Sequence, residues 1–469
     1  MSGKSKHAYP FYIISGTLIC LILLSVVRNT FSFNGFTFRP LNVLSDLQQS
    51  DPPPLVEKKA VAATKQLKAT PGQPAGSTAV LTHEPPADFM SYTGIINYPA
   101  PVEASTVAPG MQHFVQALTD LRHGQRKKVR IAYFGDSMIE GDLITEDLRD
   151  SLQTMFGGMG VGFVPATSIV ATYRTTILHS FSGNWKDYHY KNNPPEDVML
   201  GISGHTFIPG ADSWIKYTPV KKPRLNRFDE VSILYGPAEG NSAVAVNDRN
   251  IPLGGTAEVN MVTFKQDTAM PGLLLKCAAG MNTPLYGLCF ESDSGVFVDN
   301  YSFRGISGIE LAKLSSGMLQ HLQQQRPYDL IVLHYGANVL FRPELTDYSW
   351  YERPMAKVMD SLRHRFPNTS FLIISTADKS YRKGEEYVTA PGVEALIKVQ
   401  HDMAERFGTG YWNLFAAMGG EGAMVRWVEG DTVLANKDYT HFNRQGASRV
   451  GALLYKAIKH EFEHPAFSN

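Results

Sequence analysis

The feature that most constrains the fold is a strand that ends in a glycine turn and passes at once into a helix. The apolar run 129–134 stops at Gly-Asp-Ser, residues 135–137, and apolar residues then recur at helical spacing, at Leu143, Leu148, Leu152 and Met155. Such a corner exposes the Ser137 hydroxyl while N–H groups face any negative charge that develops beside it, which suits a nucleophile. Because these are also ordinary turn residues, the tripeptide alone does not establish catalysis.

The same alternation of strand and helix returns in the C-terminal part of the chain. Strands are predicted near 296–298, 328–334, 370–375 and 411–412, and helices near 311–322, 351–366 and 393–407 and from about 445 onward. Repeated units of this length indicate a parallel sheet covered by helices on both faces. Function is expected at the carboxyl ends of its strands.

Between these two parts, the helical period is absent and short β-like pieces take its place. They lie at 213–217, 231–235, 243–246, 258–264, 273–277 and 285–290, separated by turn residues. This pattern predicts an inserted sandwich or jelly roll. Its aromatic and amide residues could stack on sugars or simply fill its core: Asn184, Trp185, Tyr188, Tyr190 and Trp214.

The N-terminal hundred residues carry a different pattern. Residues 9–27 are apolar for long enough to cross a membrane, and Lys4 and Lys6 before them predict a cytoplasmic N-terminus with the remainder outside. The end of this run offers no small-x-small cleavage site, so we expect an uncleaved anchor rather than a signal peptide. Residues 45–88 are rich in proline, lysine and alanine and predict an extended tether. The aromatic stretch 85–104 is expected to lie as a strap over the folded domain.

Composition and cysteine usage limit the partners and cofactors. Lysine and arginine total 44 against 44 acidic residues, so nothing favours nucleic acid as a partner. The 14 histidines form no metal-ligand pattern, and His189 with His205 is expected to be structural, so no metal or other cofactor is predicted. Cys277 and Cys289 could form a disulfide or remain two buried thiols.

Candidate partners for Ser137 come from three later places in the chain. Asp438 and His441 lie three residues apart just before the last predicted helix, so the carboxylate can orient the imidazole toward Ser137. The N–H groups of Ser137 and Gly308 and the Asn338 amide could then hold an oxyanion. Each residue alone also fits a loop, cap or packing role. Their joint order at strand ends favours a Ser-His-Asp relay.

These residues resemble the four blocks of the SGNH (GDSL-type) hydrolase family. Gly135-Asp136-Ser137 matches the first block, Gly308 the second, Asn338 the third, and Asp438 with His441 the last. The resemblance implies a flavodoxin-like α/β sheet and assigns nucleophile, oxyanion and acid–base roles to the same residues. Two positions depart from the pattern. Phe303 stands where the family often has asparagine, and Val339 where it often has aspartate.

The long β-rich interval between Ser137 and Gly308 resembles the peptidoglycan O-acetylesterases, which carry a carbohydrate-binding-module-like jelly roll there. That likeness implies removal of acetyl groups from the muramic acid 6-hydroxyl of the cell wall. Together with the predicted anchor and tether, it leads us to expect a membrane-anchored serine esterase in the periplasm or facing the cell wall that acts on an acetylated glycan, with peptidoglycan expected. A glycan O-acetyltransferase using the same triad and a non-catalytic glycan-binding protein remain alternatives. The expected segments are 1–8 (cytoplasmic), 9–28 (transmembrane helix), 29–105 (linker), 106–164 and 296–469 (hydrolase domain) and 165–295 (inserted β-rich domain).

Overall fold

The computed structural model describes most of the chain after residue 85. The described residues are 31–33, 36–38, 80–81, 86–101, 107–192, 194–238, 240, 242–265 and 272–468, of which 31–33, 36–38, 80–81 and 468 are described by their backbone. The chain divides into two compact units, Met1–Ala75 and Gly76–Asn469. In the first, β1 and β2, defined below, form an antiparallel pair in which Phe31 lies opposite Phe38.

Strands and helices are numbered here in chain order through both units. The strands in chain order are β1 (Phe31–Phe33), β2 (Phe36–Phe38), β3 (Val80–Leu81), β4 (Ile95–Asn97), β5 (Lys128–Gly135), β6 (Gly162–Pro165), β7 (Leu178–Phe181), β8 (Lys186–His189), β9 (His205–Ile208), β10 (Trp214–Thr218), β11 (Glu230–Tyr235), β12 (Ala243–Val246), β13 (Arg249–Pro252), β14 (Asn260–Lys265), β15 (Leu273–Cys277), β16 (Leu285–Glu291), β17 (Gly295–Ser302), β18 (Leu330–His334), β19 (Ser370–Ile374), β20 (Ser380–Lys383), β21 (Glu386–Thr389), β22 (Gly410–Trp412) and β23 (Phe467–Ser468). The helices are α1 (Gln112–Arg122), α2 (Thr145–Phe156), α3 (Ser316–Gln325), α4 (Ser349–Arg365), α5 (Gly392–Phe407), α6 (Leu414–Met418), α7 (Ala423–Glu429) and α8 (Arg444–Glu463), with 3₁₀ turns at Ser137–Asp142 and Ile309–Lys313.

A six-stranded sheet in the order β17-β5-β18-β19-β22-β4 forms the centre of the α/β part of the chain. Its neighbouring strands run parallel except for the antiparallel pair β22–β4. Successive residues of a strand point to opposite faces, so Val129 and Ile131 lie in one core and Ala132 and Phe134 in the other. Helices α1, α2 and α8 cover the first face, and α3, α4 and α5 cover the second. The predicted parallel sheet with helices on both faces is confirmed.

Two antiparallel sheets occupy the chain between α2 and β17. One has the order β13-β12-β15-β10-β7 and the other β14-β11-β16-β9-β8, with β6 paired to β16. Their inner faces share one apolar core, in which the rings of Tyr217 and Phe290 lie 5.2 Å apart between centroids. The finer jelly-roll assignment remains a prediction.

Buried ion pairs tie this insertion to the parallel sheet. Arg326, just after α3, donates from Nε to Asp299 Oδ2 of β17 at 2.7 Å and also pairs with Glu291 of β16. Glu291 accepts a further bond of 2.9 Å from Nε of Arg130 on β5. Because Arg326, Glu291 and Asp299 are almost completely buried, these charges depend on one another.

The two cysteines of the insertion are free, buried thiols. Cys277 lies on β15 and Cys289 on β16, which belong to different sheets. Of the two alternatives from the sequence, the structure has the pair of thiols. Burial raises the pKa of Cys277 to about 12, so this thiol is not a nucleophile near neutral pH.

The structure describes only part of the N-terminal region for which the sequence makes predictions. The expected strap contributes β4, which adds an antiparallel edge strand to the sheet, and Phe89 stacks on His401 with ring centroids 3.7 Å apart. The predicted transmembrane helix 9–28 and most of the tether 45–88 lie outside the described residues. Within the part of the chain that the structure describes, no helix combines the length and apolarity needed to span a bilayer.

Candidate active site

Ser137 lies where the central strand β5 ends. Gly135 closes the strand, and a Cβ at this position would lie 3.1 Å from the carbonyl oxygen of His334 on the neighbouring strand. Asp136 then caps the 3₁₀ turn that begins at Ser137, because its Oδ1 accepts a 2.9 Å hydrogen bond from the N–H of Met138. The local sequence thus places the serine hydroxyl at the carboxyl edge of the sheet.

The relay expected from the sequence is assembled in the structure. His441 Nε2 lies 2.9 Å from Ser137 Oγ, and His441 Nδ1 lies 2.8 Å from Asp438 Oδ2. The other Asp438 oxygen accepts 2.9 Å and 3.0 Å bonds from the N–H groups of His441 and Thr440. With Nδ1 protonated toward the carboxylate, Nε2 can accept the Ser137 proton.

Asp438 is held ionised by its own loop. Partial burial would raise the pKa of its carboxyl group, but the backbone N–H and ring of His441 and the N–H of Thr440 lower it overall. The side chains of His441 and Asp438 are 39% and 51% exposed. The relay therefore stands at the surface of a cavity of about 790 Å³ that Ser137, Asn338, Asp438 and His441 line together.

Asn338 is brought beside Ser137, but its amide N–H groups already have acceptors. Nδ2 lies 3.0 Å from both Asp136 Oδ2 and the carbonyl oxygen of Ile306. An amide nitrogen carries two hydrogens, so donation to a substrate oxygen requires Asn338 to share or exchange one of these bonds. The oxyanion role of Asn338 remains a prediction.

Gly308 adopts the left-handed conformation that its place in the loop requires. Its φ is +97°, and a Cβ there would lie 2.7 Å from the ring of Tyr335. Its N–H donates to Glu310 Oε2 at 3.1 Å, and the N–H of Ser307 donates to the same oxygen at 3.0 Å. The loop thus presents two N–H groups to one anionic oxygen, and the proposed oxyanion donor is occupied by Glu310 here.

Asp136 is a site residue that sequence reasoning treated only as part of the motif. Complete burial raises the pKa of its carboxyl group to about 6, although bonds from Met138 and Asn338 and the charge of His441 act in the opposite direction. Its burial depends on the strands packed around it, so no local pattern could reveal it. Asp136 links the serine turn to the Asn338 amide.

Lys379 is a second residue that the sequence did not single out. Its Nζ donates to the carbonyl oxygens of Ala337 at 3.1 Å and Leu340 at 2.8 Å, on either side of Asn338. Burial lowers the pKa of its ammonium, while Asp438 and Asp136 act to raise it. Its position five residues after β19, next to Asp378, is the one hint that the sequence offers.

The two departures from the family pattern are apolar packing positions. Phe303 is buried, and its ring lies 4.7 Å from that of His205 in the insertion. Val339 is fully buried. Neither side chain can hydrogen-bond to the site, and the carboxylate partner of Asn338 is Asp136 instead.

One group of described residues could approach a metal ion, namely His401, Asp402 and Glu405. Both ring nitrogens of His401 are already engaged, Nε2 with the Tyr98 hydroxyl at 2.5 Å and Nδ1 with Asp402 at 3.1 Å. We therefore assign no ion to it, and the expectation of a metal-free site remains a prediction.

Comparison with known proteins identifies the fold. No protein-family model matches the sequence, and no curated protein matches it. Among solved structures, the chain is similar to one described as a peptidoglycan O-acetylesterase, with 21% identity, 76% of this chain and 99% of that chain covered, and a TM-score of 0.64. A family two carbohydrate esterase from Cellvibrio japonicus (10% identity, 61% and 99% covered, TM-score 0.26) and an acetyl xylan esterase (16%, 35% and 81%, 0.27) superpose too poorly to support an argument. The fold predicted from the four sequence blocks is confirmed.

Proposed function

Because this chain has the SGNH hydrolase fold, we propose that it is a serine esterase that removes O-acetyl groups from a cell-envelope glycan, with peptidoglycan as its substrate. The observation that carries the proposal is the continuous contact from Ser137 Oγ through His441 to Asp438, at 2.9 Å and 2.8 Å. A serine hydroxyl becomes an effective nucleophile when an adjacent base takes its proton.

The reaction follows from the positions of these groups. Ser137 Oγ attacks the acetyl carbonyl carbon as His441 Nε2 accepts its proton, and the oxyanion forms near the N–H groups of the Ser137 turn, Gly308 and Asn338. The tetrahedral intermediate collapses to acetyl-Ser137, and His441 returns the proton to the departing sugar oxygen. Water then attacks the acetyl group as His441 Nε2 accepts its proton. His441 returns this proton to Ser137 Oγ as the acyl–oxygen bond breaks, which releases acetate and restores the free serine.

The exposure of the relay favours hydrolysis over transfer to a second sugar. The His441 ring is 39% exposed and borders the cavity of about 790 Å³, so water can reach the acetyl-enzyme beside its general base. A transferase must exclude water from this intermediate. We therefore propose an esterase.

The proposed substrate is supported by a similarity that covers 76% of this chain. The similar solved structure is described as a peptidoglycan O-acetylesterase, and the alignment covers 99% of it. Val170 and Tyr173, from the interval between α2 and β17 that carries the two antiparallel sheets, line the cavity of Ser137, so this interval adds surface on which a polymeric substrate could lie.

We further propose that residues 9–28 anchor the protein in the membrane, with the catalytic part outside the cytoplasm. The apolar run after Lys4 and Lys6 supports this topology. Reporter fusions after residue 8 and after residue 105 test it. We expect a periplasmic reporter to be active only at the second position, and activity at the first position alone would contradict the topology.

Acetate release from O-acetylated peptidoglycan, acetylated xylan and an aryl acetate tests the proposed activity. We expect peptidoglycan to be the best substrate. Ser137→Ala and His441→Ala should remove turnover, and Asp438→Asn should retain a small residual rate because the histidine loses its orienting carboxylate.

Exposed residues of the same types supply the controls. Ser316→Ala and His464→Ala change side chains on the surface and should keep the wild-type rate. A fluorophosphonate probe should label the wild type but not Ser137→Ala. Full turnover by Ser137→Ala would exclude the serine mechanism, and a wild type that neither reacts with the probe nor releases acetate would support a glycan-binding protein.

A further inference from the structure

A second cavity of about 670 Å³ lies beside the active-site cavity. Four residues, Glu140, Gly141, Val170 and Arg304, line both cavities, so the two spaces share one wall. The far side of the second cavity is built by the insertion, through residues of β7 and β8 and the loop before β9. A glycan whose acetyl group reaches Ser137 would therefore have its neighbouring atoms at this opening.

Most charged groups in the second cavity already have partners within the protein. Arg304 Nε donates to Glu140 at 2.9 Å, and His205 Nδ1 lies 2.9 Å from Asp187. The Arg174 guanidinium lies 3.5 Å from a carboxylate oxygen of Asp142. These groups line the cavity, and their charges and hydrogen-bonding atoms already have partners without a ligand.

Two polar groups of the second cavity have no such partner among the described residues. The Ser203 side chain is 5% exposed, and its Oγ makes no hydrogen bond there. A buried hydroxyl without a partner costs free energy unless a ligand or water supplies one. The second group is the ammonium of Lys191, an exposed side chain to which the described part of the chain gives neither an ion pair nor a hydrogen-bond acceptor.

The position of Lys191 connects the two cavities. Its Nζ lies over Gly305, in the space that a side chain at 305 would fill. Gly305 lines the active-site cavity, whereas Lys191 lines the second. The cation thus stands where a substituent next to the acetylated position would pass from one cavity into the other.

Part of the remaining wall is apolar, and polar side chains such as Thr167, Ser168 and Asn300 complete it. Phe163, Phe181 and Phe303 line the cavity, and Ile169 at its rim is 78% exposed. Charges interact more strongly where apolar walls displace water, and apolar cavities with a few polar groups are the usual form of binding sites. An anionic group on an otherwise apolar or glycosidic substituent fits this combination.

We propose that the second cavity is a subsite for a carboxylate that the glycan carries close to its acetyl ester. Lys191 would pair with the carboxylate, and Ser203 would donate its O–H to the same substituent. This inference rests on the proposed function and adds a preference for acidic over neutral acetylated glycans. In peptidoglycan the carboxylate has two sources, the ether-linked acid of the sugar and the peptide that extends from it.

Equilibrium binding to the full-length Ser137→Ala protein tests the subsite independently of turnover. The probes are de-O-acetylated peptidoglycan strands with their peptides, the same strands after an amidase has removed the peptides, and neutral chitooligosaccharides of equal length. We expect at least tenfold tighter binding of either acidic glycan than of the neutral one, decreasing with salt. Tighter binding of the intact strands assigns the carboxylate to the peptide, and tighter binding of the amidase-treated strands assigns it to the sugar acid that the amidase frees. Equal binding of the two acidic glycans shows that the subsite accepts either carboxylate.

Variants at Lys191 separate a specific contact from general charge. In the Ser137→Ala protein, Lys191→Met should weaken binding of the acidic glycan about tenfold, whereas Lys191→Arg should retain most of the affinity. Ser203→Ala should weaken binding of the same glycan several-fold. Lys186→Met, at an exposed position of β8 outside the cavity lining, is the matched control. Equal affinity for acidic and neutral glycans, or no effect of Lys191→Met, would overturn the subsite. Loss of acetate release with the binding preference intact would instead reject the proposed activity alone.

Discussion

At the scale of single residues, the buried carboxyl group of Asp136 connects the serine turn to the amide of Asn338. It accepts hydrogen bonds of 2.9 Å from the Met138 N–H and 3.0 Å from Asn338 Nδ2. The group is fully buried, and burial raises the pKa of Asp136 to about 6 from 3.8. Because no arginine or lysine in the described part of the chain pairs with it directly, the site retains this carboxylate at some cost to stability near neutral pH.

Asp136→Asn should therefore change the pH dependence of stability. A raised folded-state pKa means that the contribution of Asp136 to stability is full below about pH 4 and is lost as the pH rises through about 6. The unfolding free energy of the wild type relative to Asp136→Asn should fall by about 3 kcal/mol between pH 4 and 7. Urea unfolding at a series of pH values measures this difference.

Asp142 supplies a control of opposite sign. Burial would raise the pKa of Asp142, but Arg149 and Arg174 lower it overall, so its contribution to stability is present above about pH 4 and is lost at lower pH. Asp142→Asn should be less stable than the wild type at pH 7, with a gap that narrows in acid. The same slope for both variants would contradict the assignment of Asp136 as a buried, unpaired carboxyl group.

Lys379 is predicted to act on the reaction through the loop that carries Asn338. Lys379→Met removes both hydrogen bonds to the carbonyl groups of Ala337 and Leu340. Since misplacing one oxyanion donor costs about 10- to 1,000-fold in rate, we expect kcat for an aryl acetate to fall roughly 10- to 100-fold with little change in KM. Lys379→Arg should recover part of kcat. A change in KM alone would show that the loop contacts substrate instead.

The reacting residues could be predicted from the sequence, whereas their supports could not. Ser137, Asp438 and His441 each follow a strand end or precede the last helix, and the topology of a parallel sheet brings such places to one edge. The acceptors of the Asn338 amide and the Gly308 N–H depend on the rotamers of Asp136 and Glu310, which only the packed loops determine.

At the scale of secondary-structure elements, the junction between β16, β17 and α3 holds the insertion against the catalytic sheet. The Arg326 guanidinium lies between Asp299 and Glu291, and all three side chains are at most 2% exposed. Burial would raise the pKa of Glu291, but Arg326 and Arg130 lower it overall. The stability of this junction therefore depends on the presence of all three charged groups, Arg326, Glu291 and Asp299.

Arg326→Met should destabilise the protein by about 3–5 kcal/mol, because it leaves buried carboxylates without their partner. The lowered pKa of Glu291 means that its contribution to stability is lost as the pH falls, so the effect of Arg326→Met should diminish in acid. Lys398→Met, which removes an exposed pair with Asp402, should change stability by less than about 1 kcal/mol. Equal effects of the two substitutions on thermal or urea unfolding would contradict this view of the junction.

Elements with long apolar patterns could be predicted from the sequence, whereas short strands could not. The central strand expected at 129–134 is β5, and the helix expected at 393–407 is α5, because long apolar patterns determine burial on a sheet or helix. The hairpin of β20 and β21 was not predicted, since its strands of 4 residues each carry charged and half-buried side chains. The short strand β4 likewise gains its place from pairing with β22 rather than from local sequence.

At the scale of the whole molecule, the candidate active site and the proposed membrane anchor belong to different compact units. The relay, the parallel sheet and the insertion all lie within the unit Gly76–Asn469. The anchor proposed from the sequence lies in the other unit, Met1–Ala75. The first strand of the larger unit, β3, pairs with β23 at the other end of that unit, so a cut before residue 76 leaves this pair intact.

Removal of residues 1–75 should therefore release an active enzyme from the membrane. We expect the shortened protein to fractionate with the soluble material, to unfold at the same temperature as the catalytic part of the full chain, and to keep kcat/KM for an aryl acetate within about twofold, because none of the groups near Ser137 is lost. In the full chain, Leu18→Arg should weaken membrane association in the same way, since a charge near the centre of a spanning helix costs about 2.5–3.5 kcal/mol. A shortened protein that still sediments with membranes would assign the attachment to the larger unit. A soluble protein with a much lower kcat/KM would show that residues before 76 support the active site.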